Sequence, residues 1–254
     1  MDPLDMAGRV VLVTGGAKGV GKGIATAFSG AGSHVVVCGR TPPDEPEHEF
    51  IACDVRQPDQ VNELIDGIVA RHGRLDVAVN NAGGAPYAEA ATASPRFSTA
   101  IVTLNLLAPL FVAQRANQVM QGQDDGGCII NIASISGLRP SPGAAAYGAA
   151  KAGLINLTQT LAMEWAPKVR VNCVSAGMVL TETAHLFYGD DAGVAAVAGT
   201  VPLGRLADPL DIGNLCVFLS SPLAGYVSGA NLVAHGGGER PPFLDAANAD
   251  HVRQ

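Results

Sequence analysis

The sequence predicts an α/β fold, a doubly wound parallel sheet of seven strands flanked by helices, and three observations carry that reading. Seven short apolar runs rich in β-branched residues recur along the chain: VVLVTG, HVVVCG, EFIACDV, DVAVNNAG, CIINIAS, VRVNCVSAG and ANLVAHGG. They lack polar alternation, the pattern of strands buried on both faces. Amphipathic stretches with helical spacing separate most of them, so βαβ units repeat and the strands run parallel. The composition agrees, because 48% hydrophobic against 15% charged residues suits a core covering both sides of a sheet.

In chain order, the first strand ends in TGGAKGVG, residues 14–21, and opens directly into a helix predicted over 19–29. The second runs into Cys38, Gly39, Arg40 and Thr41. Between Arg40 and Glu49 stands TPPDEPEH, whose three prolines cannot sustain a helix, so a tight surface loop is expected there. After the third strand comes a helix predicted over 58–71, with Pro58 as a first-turn signal. The fourth strand leads into one long helix predicted over 95–121, and the fifth delivers Ser134 ahead of a helix predicted over 147–165. The sixth is followed by 181–203, at the carboxyl end of the sheet where ligands bind in such folds. That segment reads as a substrate lid, mobile until ligand binds, with Phe187, Val194, Val197 and Val201 offering an apolar pocket walled further by Met178 and Leu138. His185 and Tyr188 are its candidate hydrogen-bonding residues. A helix predicted over 208–219, announced by Asp208 and Pro209, precedes the last strand. The tail 239–254 lacks periodicity and is expected to be extended or partly disordered.

No linker divides the chain, so one domain over 1–254 is expected. A formal charge of −7 with no clustered basic face argues against nucleic acid as a partner. With no charged-and-apolar leader ahead of the first strand, and no apolar run of the ~18 residues that mark a membrane span, a soluble cytoplasmic protein without a membrane partner is expected. The five cysteines lie singly in apolar surroundings, without spacing for zinc or a disulfide framework, and read as buried packing.

Chemistry enters with Tyr147 and Lys151, four residues apart and therefore neighbours on one helix face. A phenol alone loses its proton near pH ~10, and an adjacent ammonium favours the phenolate and lowers that value. The pair reads as a tuned proton donor and acceptor, with Ser134 able to hold a carbonyl or alcohol oxygen against it. In the glycine turn, Gly15, Gly19 and Gly21 allow a tight bend and close approach to a pyrophosphate at a helix N-terminus. Following a strand and opening a helix, the turn marks a Rossmann-like dinucleotide site. NAD binders place a carboxylate at the end of the second strand; here Gly39 removes it, while Arg40 and Lys18 offer cations for a 2′-phosphate. NADP(H) is therefore the expected cofactor.

Taken together, the glycine turn, Asn80 to Gly83, Asn105, Ser134 and the Tyr147 to Lys151 spacing resemble the single-domain short-chain dehydrogenase/reductase family over nearly the whole chain. The resemblance implies a nicotinamide cofactor and reversible oxidation of an alcohol to a carbonyl. It implies that Gly15, Lys18, Gly19, Val20 and Gly21 hold the diphosphate side, and that Arg40 and Thr41 meet the adenosine ribose. Asp54 and Val55 would meet the adenine, and Asn81, Ala82 and Gly83 would line the adjoining ribose. Asn105 would hold a water on a proton path to Lys151 through its main chain. Ser134 would orient the carbonyl and Tyr147 exchange the proton, while Lys151 would lower the phenol's pKa and hold the nicotinamide ribose. Gly177, Val179 and Thr181 would contact the carboxamide. No metal is needed for this chemistry. A homo-oligomer, by resemblance a tetramer built on the long central helices and the last strand, is implied as well.

Two positions depart from the family pattern. Ala176 stands where proline is usual, which predicts a less rigid loop, and His235 stands where aspartate is common, reaching a neighbouring active site or capping the last strand. A reductase of 3-oxoacyl thioesters is the alternative enzyme, with Arg96, Arg115 and Arg139 as carrier contacts. A non-enzymatic NADP(H)-sensing protein is the alternative outside enzymes, and retention of Tyr147, Lys151 and Ser134 counts against it.

Overall fold

Successive residues of each central strand feed two different cores, which is why the strands read as unbroken apolar runs. In β1 (Val10–Thr14), Val10 and Leu12 point to one face of the sheet while Val11 and Val13 point to the other, all nearly inaccessible. The computed structural model describes residues 3–248. Its strands β2 (His34–Gly39), β3 (Glu49–Ala52), β4 (Val77–Asn80), β5 (Gly127–Ser134), β6 (Val169–Ala176) and β7 (Asn231–Ala234) join β1 in one parallel sheet of seven, in the order β3-β2-β1-β4-β5-β6-β7. The order reverses between β1 and β4, and that switch point opens the crevice in which doubly wound sheets bind ligands.

One core packs the sheet against α2 (Pro58–His72), α4 (Ala108–Gln121) and α5 (Ala145–Glu164), through residues such as Leu64, Ile68, Val112, Met120 and Leu161. The other packs it against α1 (Gly19–Gly30) and α8 (Pro209–Ser220), through Ile24, Phe28, Ile212 and Leu219. Each such side chain, fully buried, contributes roughly 1.5–3 kcal/mol. The predicted boundary signals are present. Pro58 opens α2, and α8 carries a reciprocal capping box in which Asp208 and Asp211 satisfy each other's backbone N–H groups. All five cysteines are buried and reduced.

The structure departs from the sequence reading in four places. The helix predicted over 95–121 is divided into α3 (Pro95–Val102) and α4 by a π-helical turn, Thr103–Leu107, of the kind that often marks functional sites. The run Pro95–Gln121 is long and apolar enough to cross a membrane by length and composition, with a mean hydropathy of 1.6 over its most apolar stretch, contrary to the expectation that no run would be. In the fold it lies against the sheet, with Val112, Ala113, Ala116 and Met120 buried there. The segment 181–203 contains two short helices, α6 (His185–Tyr188) and α7 (Asp191–Gly199). In the tail, Pro242–Ala246 forms a short helix, α9, and residues 249–254 lie outside the described residues. The proline-rich connection between β2 and β3 is helix-free, as expected.

Helices α1 and α8 meet backbone to backbone. A Cβ on Gly23 would stand 2.3 Å from Pro209 Cβ, and one on Gly213 would stand 2.6 Å from the Gly23 carbonyl oxygen. Neither approach tolerates a larger residue without shifting a helix. Gly23→Val is expected to lower the unfolding free energy by about 2–3 kcal/mol, read from urea denaturation.

Candidate active site

At the switch point β1 ends on Thr14, and its hydroxyl oxygen accepts from the backbone N–H groups of Asn81 and Ala82, both at 3.0 Å. The Asn81 amide returns the contact by donating to the Thr14 carbonyl at 2.9 Å. These bonds pin the loop after β4 to the glycine turn. Within the turn Gly15 and Gly19 adopt φ of +65° and +52°, and a Cβ on Gly21 would collide with the Gly15 carbonyl at 2.2 Å. Only glycine leaves the backbone open to close approach.

Helix α1 starts at Gly19, with Lys18 at its N-cap and no side chain capping from that position. Its anion is supplied from far along the chain, for Gly19 N–H donates to both carboxylate oxygens of Glu182, at 3.3 and 3.2 Å. A carboxylate seated there shows that the start of α1 accepts negative charge, the property a dinucleotide diphosphate would use. Thr181 covers the same turn, its methyl 3.6 Å from where a Gly19 Cβ would stand. Val20 follows, half-buried in the first turn of α1.

At the far end of the crevice Lys18, Arg40 and Thr41 are exposed. Val55 is buried, and Asp54 is held by Arg56, whose Nε and Nη2 reach its two oxygens at 2.8 and 2.5 Å. That ion pair keeps the Asp54 carboxyl below the usual range, with Arg40 adding a smaller pull. A Cβ on Gly39 would meet Phe50 only at 3.7 Å, an ordinary contact, so nothing steric forbids the carboxylate missing from this position.

The candidate proton-handling residues converge at the ends of β5 and α5. Lys151 is buried, and its Nζ donates to the Ile132 carbonyl at 2.7 Å, binding α5 to β5. Burial pushes its pKa down to about 8. One turn earlier, Tyr147 faces Ser134 closely enough for the serine hydroxyl to act on its pKa, and the Ser134 oxygen accepts from Ser136 N–H at 3.1 Å. The Lys151 ammonium lies 5.6 Å from the centre of the Tyr147 ring. The expectation that Lys151 lowers the phenol's pKa is corrected by this structure. Burial raises it, the nearby Ser134 hydroxyl opposes only part of that rise, and the phenol is protonated at neutral pH.

Asn105 sits in the π turn, fully buried, and its side chain is what the structure engages. Its Oδ1 accepts from Gly84 N–H at 2.9 Å and its Nδ2 donates to the Gly84 and Ile101 carbonyls. Gly83 is enclosed by this group, since a Cβ there would stand 2.6 Å from Asn105 Oδ1 and 3.3 Å from Lys151 Nζ.

The loop after β6 is better fixed than Ala176 predicts. Gly177 N–H bonds the Ala234 carbonyl, Leu180 N–H bonds the Ala207 carbonyl, and Val179 bridges to Ala207. Gly177 is required sterically, because a Cβ would lie 2.8 Å from His235 Cα. His235 lines a cavity of about 420 Å³ with Met178, Val201 and Leu203. Phe187 and Leu138 are largely exposed, and the cavity that touches Tyr147 is walled instead by Ala85, Pro86, Phe97, Ile101 and Ala146. The pocket predicted from the lid therefore divides, with its Tyr147 side supplied by the loop after β4 and by α3. Glu182, Arg56 and Thr14 are site residues the sequence reading did not single out.

A glycine turn at the switch point and half-buried Tyr147 and Ser134 beside the buried Lys151 are the arrangement of a nucleotide-dependent oxidoreductase. Residues 15–239 match the family model described as enoyl-(acyl carrier protein) reductase. The chain is 34% identical to D-threitol dehydrogenase of Mycolicibacterium smegmatis, over 91% of this chain and 92% of that one. It is 32% identical to a Bacillus subtilis protein named probable 2,4-dienoyl-CoA reductase, over 94% and 99%. The ligand-free aldohexose dehydrogenase of Thermoplasma acidophilum superposes with a TM-score of 0.87 at 31% identity, covering 92% of this chain and 94% of that one. The chain belongs to the short-chain dehydrogenase/reductase family.

The Glu182 carboxylate occupies the Gly19 N–H, so a diphosphate held there would compete with it. Glu182→Gln is expected to tighten dinucleotide binding by about two- to fivefold, the effect of ~0.3–1 kcal/mol typical of a charge at a helix N-terminus, measured by calorimetric titration.

Proposed function

We propose that this protein interconverts a carbonyl and a secondary alcohol on an apolar substrate, with NADP(H) as cofactor. The observation that carries the proposal is the facing Ser134 and Tyr147 hydroxyls beside the buried Lys151, whose Nζ is anchored on the Ile132 carbonyl. When bound, the nicotinamide supplies the hydride to the substrate carbon or removes it. Ser134 and Tyr147 present two hydroxyls to one substrate oxygen, and the protonated phenol is the group able to give that oxygen a proton. Lys151, anchored by Ile132, keeps donors free for a ribose hydroxyl. Asn105 holds the Gly84 backbone and so fixes the wall opposite. In the direction of alcohol oxidation the phenol must first lose its proton.

NADP(H) preference is supported by Lys18 and Arg40, two exposed cations that make no side-chain hydrogen bond or ion pair among the described residues, and by the uncrowded Gly39 that carries no repelling charge. An apolar substrate is supported by the walls beside Tyr147, where Phe97, Ile101, Pro86 and alanines predominate. The relatives named for sugars and polyols favour a second reading, a polyhydroxylated alcohol. A thioester carrier gains less support: Arg115 is paired with Asp66 and Arg139 with Glu239. Exposed Leu107 and Met163 on the two long central helices support assembly as a tetramer.

A panel of apolar ketones, sugars, polyols and 3-oxoacyl thioesters, followed by NADPH absorbance, tests the reading. Tyr147→Phe is expected to reduce turnover by about 10²–10⁴-fold while leaving NADPH affinity nearly unchanged. For the wild type, oxidation should quicken with rising pH above neutrality and reduction should slow, because the raised phenol pKa keeps the donor form dominant at pH 7. Retention of activity in Tyr147→Phe sinks the assignment. Arg40→Asp is expected to reverse the preference toward NAD(H), read as the ratio of kcat/KM for the two cofactors; an unchanged ratio removes Arg40 as the selector.

A further inference from the structure

At the opposite end of the sheet from Tyr147, three side chains that the hydride chemistry does not use converge on a point. His34 begins β2, Glu49 begins β3 and His72 ends α2. Parallel pairing places Glu49 beside Val36, and alternation puts His34, Val36 and Glu49 on the same face, the one that α2 covers. His34 Nε2 and His72 Nε2 both stand 2.9 Å from one oxygen of Glu49, Oε2. The two imidazole rings are 4.2 Å apart at a tilt of 39°. All three donor atoms fall within 4.8 Å of one another.

We propose that His34, Glu49 and His72 form a binding site for a divalent transition ion of the zinc class. Two imidazole nitrogens and one carboxylate oxygen are a donor set suited to Zn²⁺, and three protein ligands leave a fourth position for water. Tetrahedral bonds of about 2.0–2.1 Å set donor atoms roughly 3.3 Å apart, so the 2.9 Å pairs need open by only a few tenths of an ångström. His34, 49% exposed, leaves an approach from solvent. Arg71 Nε contacts the other oxygen, Oε1, at 3.1 Å, which orients the carboxylate and leaves Oε2 as the ligand. Its positive charge opposes the ion. The last carbonyls of α2 and the acidic chain favour it.

The ligands come from three elements separated by 15 and 23 residues, so the ion would clip the edge strand β3 to β2 and to the end of α2. Edge strand β3 is the one reached through the proline-rich loop rather than a helix. The site lies at the amino ends of its strands, remote from the substrate, and its role is to hold that edge.

Full-length, tag-free, EDTA-treated protein titrated with Zn²⁺ and with Co²⁺ tests the proposal. Expected are one ion per chain at micromolar affinity or tighter, visible Co²⁺ bands of tetrahedral intensity, a Zn²⁺-dependent rise in Tm, and shifts confined to the ring resonances of His34 and His72. His34→Gln and His72→Gln should each weaken binding by about 10- to 100-fold, while His185→Gln should leave it unchanged. Absence of saturable binding, undiminished affinity in the His34→Gln/His72→Gln double variant, or a sulfur-to-cobalt charge-transfer band overturns the site. Because wild-type ring shifts report the ligands directly, a variant that folds poorly does not blunt the test.

Discussion

A buried ammonium sets the terms for everything around it. Lys151 is taken out of water and given the Ile132 carbonyl as its hydrogen-bond partner, and the fall of its pKa to about 8 measures that cost. Helix α5 and strand β5 must approach closely enough for the bond, which in turn sets Tyr147 one turn away against Ser134. Gly83 must lack a side chain, because the ammonium and Asn105 fill the space a methyl would take. An ammonium has three donors, and the Ile132 carbonyl takes one. The architecture thus spends stability to hold the hydrogen-bonding capacity of this ammonium in reserve.

The sheet was legible in the sequence because burial on two faces leaves an unmistakable trace, and each of the seven apolar runs carries its strand. Glycine turn, the Asp208-Pro209 helix start and the Tyr147 to Lys151 spacing were legible for a similar reason, since their geometry is local. What escaped was either a matter of competing terms or of distance along the chain. The phenol's direction was misread because the neighbouring cation was counted and burial was not. A π turn differs from an α turn by one residue in hydrogen-bond reach, and TLNLL shows no Gly or Pro that would mark it. Glu182 meets Gly19 across 163 residues, and the pair of Asp54 with Arg56 closes only once the loop after β3 has formed. His34, Glu49 and His72 follow no ligand spacing; only the parallel register and the end of α2 bring them together.

The two ends of the sheet therefore bear different duties. At the carboxyl ends, loops from β1, β4, β5 and β6 supply backbone donors, hydroxyls and one hidden cation. Firm tethers hold them, Thr14 to Asn81 on one side and Val179 to Ala207 on the other. At the amino ends, charged residues are tied in networks instead: Asp76 receives Arg9, Arg74 and the Val10 N–H, and Glu49 receives both imidazoles and Arg71. Isolated exposed pairs of this kind contribute little, but Asp76 is itself buried and its partners close the base of β1 and β4.

The contact of Glu182 with the glycine turn has a bearing on ionic strength. A phosphate arriving at an empty helix end is an addition, and added salt screens it directly. Here an anion held at Gly19 would displace a resident one, so the local charge seen by Gly19 would change by less than the phosphates' own charge. Salt weakens the incumbent's hold along with the newcomer's. Recognition of a phosphate at this end would be an exchange of anions on the Gly19 N–H, buffered against the ionic composition of its surroundings.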